Sequence, residues 1–373
     1  MAVANGFRVF IVEAFPTKTK GTTPYNGSRD SAVRVEIEQL LRRLVASGTQ
    51  RFEPRPDDEG KITRPVKTAT LKSVTSISPD HLHAVISVGE TGSHGWATKP
   101  EAEDLDLRDR SPEVEHRVDF VFPTAKGSRF FLVTQTVHRR DPHLRLVSML
   151  WKESVKLRDE RRAADKEARK AARKAGEEVG PQPKFERLAF DVHQASDNSY
   201  LDEILSGADA ASVVFKSKAL DAKGNTEYVD RVLQIKLRGH NILDVGRAVS
   251  RSWAQQWRDG NTPSQKDAVS EVSDLLIEQD LFEKDEAPRY ESAAITVRSK
   301  SEASTTIAVD TLRDAFTYPV SDIGPDDYTF YDRVSSRLLT IAQQEEVPVE
   351  GIDPHEVSRC LTDSAPEVSS EES

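Results

Sequence analysis

The spacing of apolar residues from Asp141 to Glu178 predicts one long helix with two unlike halves. In the front half Leu144, Val147, Trp151 and Val155 recur at i, i+3, i+7 and i+11. Leu146, Leu150 and Leu157 broaden that stripe, so this part has a face to bury. Beyond Leu157 alanine is the only apolar residue, and Lys or Arg occupies 158, 161, 162, 166, 169, 170, 173 and 174. Nothing inside the stretch breaks a helix, and Gly176, Gly180, Pro181 and Pro183 close it. At its full length it would reach roughly 50 Å. The expectation is a solvated basic arm, held to the body through its front half.

Shorter patterns flank it. Phe7 to Ala14 reads as a buried strand. Asp30 or Ser31 caps a helix that buries Ile37, Leu40, Leu41, Leu44 and Val45, and Gly48 supplies its exit. Arg51 to Arg64, with Pro54 and Pro56, reads as an exposed connection. Strands follow at Val66 to Ser76, His81 to Gly89, Val114 to Phe122 and Ser128 to His138, the last two forming a hairpin across PTAKG. His81 to Gly89 alternates, which predicts an antiparallel sheet with one buried and one half-exposed face. After the long helix come a strand at Phe185 to Val192 and a short helix at Tyr200 to Leu205. Strands at Ser212 to Leu220 and Tyr228 to Arg238 precede a helix carrying Ile242, Val245, Val249, Trp253 and Trp257. Ser264 with Asp267 opens the next helix. Two more strands fall at Glu291 to Val297 and Thr305 to Asp310, and a last helix spans about Asp326 to Gln343.

This order predicts an α+β chain of two mixed or antiparallel sheet domains with flanking helices, joined by one long charged helix. The expected boundaries are 1–140 for the first domain, 141–180 for the basic helix and linker, 181–350 for the second domain, and 351–373 for an acidic, mostly disordered tail.

Composition narrows the function classes. The chain has 373 residues, 37% hydrophobic and 31% charged, with a net charge of −10, which argues against a general nucleic-acid coat protein. The basic residues are nevertheless clustered: ten Lys and Arg stand against five acidic residues from Lys152 to Lys174. The single cysteine, Cys360, excludes an internal disulfide and a Cys-cluster metal site. No apolar run approaches the ~18 residues that span a bilayer, and the N-terminus has no signal pattern. A cytoplasmic protein with no membrane partner is expected.

Candidate chemistry is sparse. The loop Gly89 to Trp96 is glycine-rich but lacks the Gly-Lys-Ser/Thr ending of a phosphate loop. His81 and His83 share a strand face, while His116 and Asp119 fall on opposite faces of theirs, so no metal site is expected and the histidines read as surface or interface residues. Trp253 and Trp257 could stack bases, but their helical stripe favours burial. The most enzyme-like set is Asp221, Gln234 and Lys236. Metal-dependent nucleases place an Asp and a Glu-x-Lys on adjacent strands to hold Mg²⁺ and steady the attacking water, and here Gln replaces the Glu.

The basic helix is the stronger handle. Arg158, Arg161, Arg162, Lys166, Arg169, Lys170, Arg173 and Lys174 interleave with acidic residues that can pair with them. The last four basic positions have the fewest acidic neighbours. The reading is a non-enzymatic protein, without cofactor, that binds nucleic acid or an acidic protein partner through this helix. The alternatives are a Mg²⁺-dependent nuclease using Asp221, Gln234 and Lys236, or a homo-oligomeric assembly protein in which the arm lies across a second subunit. In its general texture, a leading sheet domain, a charged middle and a strand–helix domain, the chain resembles bacterial proteins associated with mobile elements and phage (antiviral) defence, though no motif carries the likeness.

Overall fold

The computed structural model describes residues 5–17, 23–26, 32–52, 66–90, 96–97, 105–106, 113–138, 140–195, 197–220, 227–237, 240–258, 264–283, 289–299, 304–308 and 316–363. In chain order the elements are β1 (Asn5–Phe15), α1 (Ala32–Ser47), β2 (Gln50–Phe52), β3 (Lys67–Ser78), β4 (His81–Glu90), β5 (Trp96–Ala97), β6 (Leu105–Asp106), β7 (Glu113–Val121), β8 (Arg129–Val137) and α2 (His143–Lys174). They continue with β9 (Ala189–Gln194), α3 (Asn198–Ser206), β10 (Ala208–Leu220), β11 (Glu227–Leu237), α4 (His240–Arg258), α5 (Gln265–Glu278), β12 (Ser292–Ser299), β13 (Ser304–Ala308), β14 (Tyr318–Ser321), α6 (Asp327–Gln344) and α7 (Pro354–Asp363). Both sheets and helices are present, as an α+β chain requires.

Two compact units divide the chain: Ala4–His193 with Val320–Ser373, and Gln194–Pro319 with Met1–Val3. This partition differs from the boundaries expected at 141, 181 and 351. Helix α2 and the C-terminal helices α6 and α7 all belong with the first sheet. The reason is long-range burial, which local periodicity does not register.

The first unit is built on an eight-stranded sheet in the order β14-β1-β8-β7-β4-β3-β2, with β9 also paired to β1. From β1 to β2 along that order the pairings are antiparallel. Side chains alternate between two buried faces. On one, Phe10, Val12, Leu82, Ala84, Val118, Phe120 and Leu132 pack against Ile37, Leu40 and Leu44 of α1 and Leu146, Met149 and Leu150 of α2. Gly48 leaves α1 at φ 69, the left-handed exit expected there.

On the other face Phe7 meets Phe330 of α6 edge-on at 6.0 Å. The second face of β4 is not half-exposed, since His81 is 5% and His83 1% exposed. Nor are these surface histidines. Asp119 Oδ1 lies 2.9 Å from His81 Nε2 and 3.0 Å from His83 Nδ1, and the Tyr331 hydroxyl donates to both Asp119 oxygens at 3.1 and 3.2 Å. Burial, and then the neighbouring Asp119 charge, push the Tyr331 phenol well above its usual range, so it remains a donor. Burial alone would raise the Asp119 carboxyl. The charge of His83 and the hydrogen bonds from both imidazoles outweigh it and hold the group well below the usual carboxylate range. His116 points to the opposite face, as alternation requires, and its Nδ1 donates to the Gln135 carbonyl at 3.0 Å. Among the described residues, no group of three or more His, Cys, Asp or Glu side chains is arranged to hold a metal ion.

Two further differences concern α2 and the tail. The face of α2 that the sheet buries is Leu146, Met149, Leu150 and Leu157, whereas Leu144 is 68% and Trp151 41% exposed. The front half carries apolar residues around much of its circumference, and the sheet selects one side. Residues 354–363 form a helix where a disordered tail was expected. Asp353 caps it by accepting from the His355 and Glu356 amides, and it buries Val357. Its few apolar residues sit in an acidic stretch too short for composition to reveal it.

The second unit is a four-stranded antiparallel sheet, β11-β10-β12-β13. Val213, Phe215, Ile295 and Val297 on one face pack with Val245, Val249, Trp253, Val272 and Leu276. Trp253 is fully buried and donates Nε1–H to Glu271 at 3.1 Å, so it offers no stacking platform. The side chain of Trp257 lies outside the described residues. The capping box of Ser264 and Asp267 forms as the sequence predicts.

Tyr331→Phe should lower unfolding free energy by about 1–3 kcal/mol, because it leaves a fully buried carboxylate with one donor fewer. A denaturant midpoint shift at unchanged slope would show it. Because the folded Asp119 stays charged to lower pH than an unfolded Asp would, its contribution is complete at neutral pH. It should decline only as pH falls below about 4. A wild-type urea series across pH 7 to 2 measures that decline, and its acid limb should be shallower in Tyr331→Phe.

Candidate nucleic-acid interface

Helix α2 runs unbroken for 32 residues and ends at Gly176, whose φ is 76. At its start Asp141 Oδ1 accepts from the Thr134 hydroxyl at 3.0 Å and the His143 amide at 2.9 Å, and Asp141 Oδ2 pairs with Arg8 at 3.4 Å. Burial would raise this carboxyl, but His143 and Arg8 outweigh burial and lower it. The joint between β8 and α2 is thereby fixed.

Along its middle α2 is tied to α1. Arg43 reaches Glu153 at 2.8 Å and Glu160 at 2.7 Å, and Arg161 reaches Glu36 at 3.4 Å and Gln39 at 3.2 Å. Glu153 is nearly fully buried. Its carboxyl is lowered because Arg43 and Lys156 outweigh the burial that would raise it.

On a third side the chain returns along the helix. The Arg169 guanidinium pairs with Asp165 at 2.7 Å and donates to the carbonyls of Gly180 at 2.9 Å and Pro181 at 2.6 Å. Farther back, the Leu188 amide donates to Ser154 Oγ at 2.5 Å, and Arg187 lies over the Trp151 ring at 5.2 Å. These contacts delay the expected strand, so β9 begins at Ala189 rather than near Phe185.

The eight predicted cations therefore divide. Arg158 is bonded to Asp159, Arg161 to Glu36, Arg169 to Asp165 and two carbonyls, and Lys170 stands 4.0 Å from Glu167. Arg162, Lys166, Arg173 and Lys174 are exposed, and among the described residues no acidic group pairs with them. Arg162, Lys166 and Arg173 follow one another at i, i+4 and i+11, hence on one side of the helix, turned away from the buried Leu146, Leu150 and Leu157. Beside them Arg158, Arg162, Gln182, Lys184 and Phe185 line a recess of about 400 Å³. The sequence signal for Arg162 was its presence in the run; nothing local distinguished it from Arg161, whose partner Glu36 lies on another helix.

The nuclease set is placed only in part. Asp221 lies outside the described residues, as do Thr91 to Gly95 of the glycine-rich loop. Gln234 and Lys236 sit on the same face of β11 and are exposed, and Gln234 donates to Ser212 Oγ at 2.8 Å. No helix among the described residues is long and apolar enough to cross a membrane. Compared with models of protein families, with curated proteins and with solved structures, the chain matches none.

Arg169→Ala should release the returning segment. Trypsin is expected to cut after Lys174 and Lys184 several-fold faster than in the parent chain, with little change in thermal midpoint because this segment adds little to either core. Gel-resolved digestion time courses give the comparison.

Proposed function

We propose that this is a non-enzymatic binding protein that grips the phosphate backbone of nucleic acid through the rear half of α2 and the segment returning beside it. The observation that carries this reading is the set of exposed cations, Arg162, Lys166, Arg173 and Lys174, which have no acidic partner among the described residues. Phosphate binding requires cations whose charge is not already spent, and four of the eight meet that condition. From Arg162 to Arg173 the helix advances roughly 16 Å, a length over which one strand of duplex DNA rises about five phosphates. Lys184, on the wall of the neighbouring recess, adds a fifth positive charge.

The rest of the molecule favours this site by exclusion. With a net charge of −10, the chain as a whole repels a polyanion, so attraction is confined to where the local sign reverses. The supports of the arm also suit it to load. Arg43, Glu153 and Arg161 hold the middle of α2 to α1, and Arg169 holds the return, without using Arg162, Lys166, Arg173 or Lys174.

Replacing Arg162, Lys166, Arg173 and Lys174 together by Glu should abolish binding of a duplex or single-stranded oligonucleotide and leave the thermal midpoint nearly unchanged. For the parent chain, log affinity should fall linearly with log salt, with a slope near −0.9 for each duplex phosphate contacted, about −3.5 to −4.5 in total for four or five cations. Fluorescence anisotropy across a salt series reads both. Retained binding in the quadruple variant would remove the arm from consideration. Binding of an acidic polypeptide but of no nucleic acid would transfer the site to a protein partner.

A further inference from the structure

The geometry points to a second, unrelated binding site in the first unit: a cavity of about 1020 Å³ on the α6 side of the sheet that takes an uncharged molecule bearing a hydroxylated sugar ring. The cavity lies where the sheet loses its regularity twice. Strands β7 and β8 pair only from Val118↔Thr134 to Val121↔Phe131. Before Val118, β7 stays with β4 and β8 continues along β1, so the two diverge. The gap is bridged by Gln135, whose Oε1 accepts from the Arg117 amide at 3.1 Å and from its guanidinium at 3.3 Å. Across the cavity, β3 is irregular between Leu71 and Ser73 and again between Ser76 and Ser78, flanking the segment that contributes Ser73 and Thr75 to the wall. Bulges of this kind re-aim side chains and cluster beside functional sites. Two interruptions facing one hollow are more than a ragged sheet edge requires.

The wall chemistry selects the ligand. Asn5 is 7% and Gln135 6% exposed. Among the described residues the side chain of Asn5 and the Nε2 of Gln135 have no hydrogen-bond partner, and neither does the hydroxyl of the half-buried Thr75. Neither carboxamide is sealed from solvent, so both face the open space of the cavity and can bond to something that enters. They offer donors and acceptors without charge, which is the pattern a hydroxyl group matches, since it both donates and accepts. Both cations on the wall are occupied, Arg42 by Glu38 at 2.7 Å and Arg117 by Asp327 at 2.7 Å, while Glu115 adds a negative charge. A phosphorylated ligand would find no uncompensated cation. The floor includes His83, fixed from behind by Asp119 and Tyr331, so it does not shift to fill the space. At about 1020 Å³ the hollow is at the upper end of small-molecule sites and holds a molecule of nucleoside size, or a smaller free sugar, together with water.

Differential scanning fluorimetry and calorimetry with ribose, glucose, adenosine and uridine, beside AMP and glucose 6-phosphate, test the site. At least one neutral compound should bind with one-to-one stoichiometry, and its phosphorylated counterpart about tenfold or more weakly. Response to free sugars identifies the ring as sufficient; response to nucleosides alone shows that the base contributes. Val85→Trp narrows the cavity beside His83 and should weaken binding about tenfold or more with the circular dichroism spectrum unchanged. Should that variant fail to fold, Thr75→Val, at a half-buried position, should weaken binding about tenfold. The quadruple Glu variant of the arm should bind as the parent does, which separates this site from the nucleic-acid reading. Absence of binding by all four neutral compounds at millimolar concentration, tighter binding of the phosphorylated ones, or parent-like binding in Val85→Trp would overturn it.

Discussion

A single carboxylate joins the two ends of the first unit's sequence. Asp119 is fully buried, a position that costs a charged group several kcal/mol unless it is surrounded by donors. His81 and His83 on the adjacent strand and Tyr331 on α6 provide that surrounding. The tyrosine comes from more than 200 residues farther along the chain. The carboxylate therefore makes the return of the C-terminus a requirement of the fold, because without α6 one face of a central strand would present an open apolar surface and an exposed ionic cluster. Phe7, Phe330 and Arg117 fill in around it, with the Arg117 guanidinium 5.1 Å over the Phe330 ring.

With both faces of the sheet covered, the region around α2 can be devoted to other purposes. Its front half is committed to burial and its middle to ion pairs with α1. The rear half retains only alanine and charge, and is held straight by its own hydrogen-bond ladder, by Asp165–Arg169, and by the carbonyls that Arg169 engages on the return. A long charged helix without such support would be marginal in water. Here the pairs that stabilise it use up some of the cations and leave others without an acidic partner among the described residues. That division between structural and available charge is the physical content of the proposed nucleic-acid grip.

The same sheet carries the cavity, and the two sites draw on different properties of the chain. The arm depends on charge that is left over; the cavity depends on hydrogen-bonding groups that are left over. Each arises where a regular element departs from its ideal, in one case a helix outrunning its packing partner and in the other strands that part before they end. The buried network behind His83 makes the second possible, since a hollow beside an unsupported sheet would collapse.

Local pattern determined a good deal of this protein. The 3.6-residue period of Ile37, Leu40, Leu41 and Leu44 located α1, the unbroken run after Asp141 located α2, the PTAKG turn located the β7–β8 hairpin, and Ser264 with Asp267 located the start of α5. These rest on contacts between near neighbours, which a sequence spells out. Tertiary structure decided what depends on distant partners. It chose Leu146 and Met149 over Leu144 and Trp151 as the buried face of α2, turned His81 and His83 from surface residues into a sealed network, and brought α6 and α7 back to the first sheet. It also sorted Arg161 and Arg169, which are occupied, from Arg162 and Arg173, which have no acidic partner among the described residues. The residues that settle each of those choices lie on other elements, so no window along the chain contains the interaction that makes the decision.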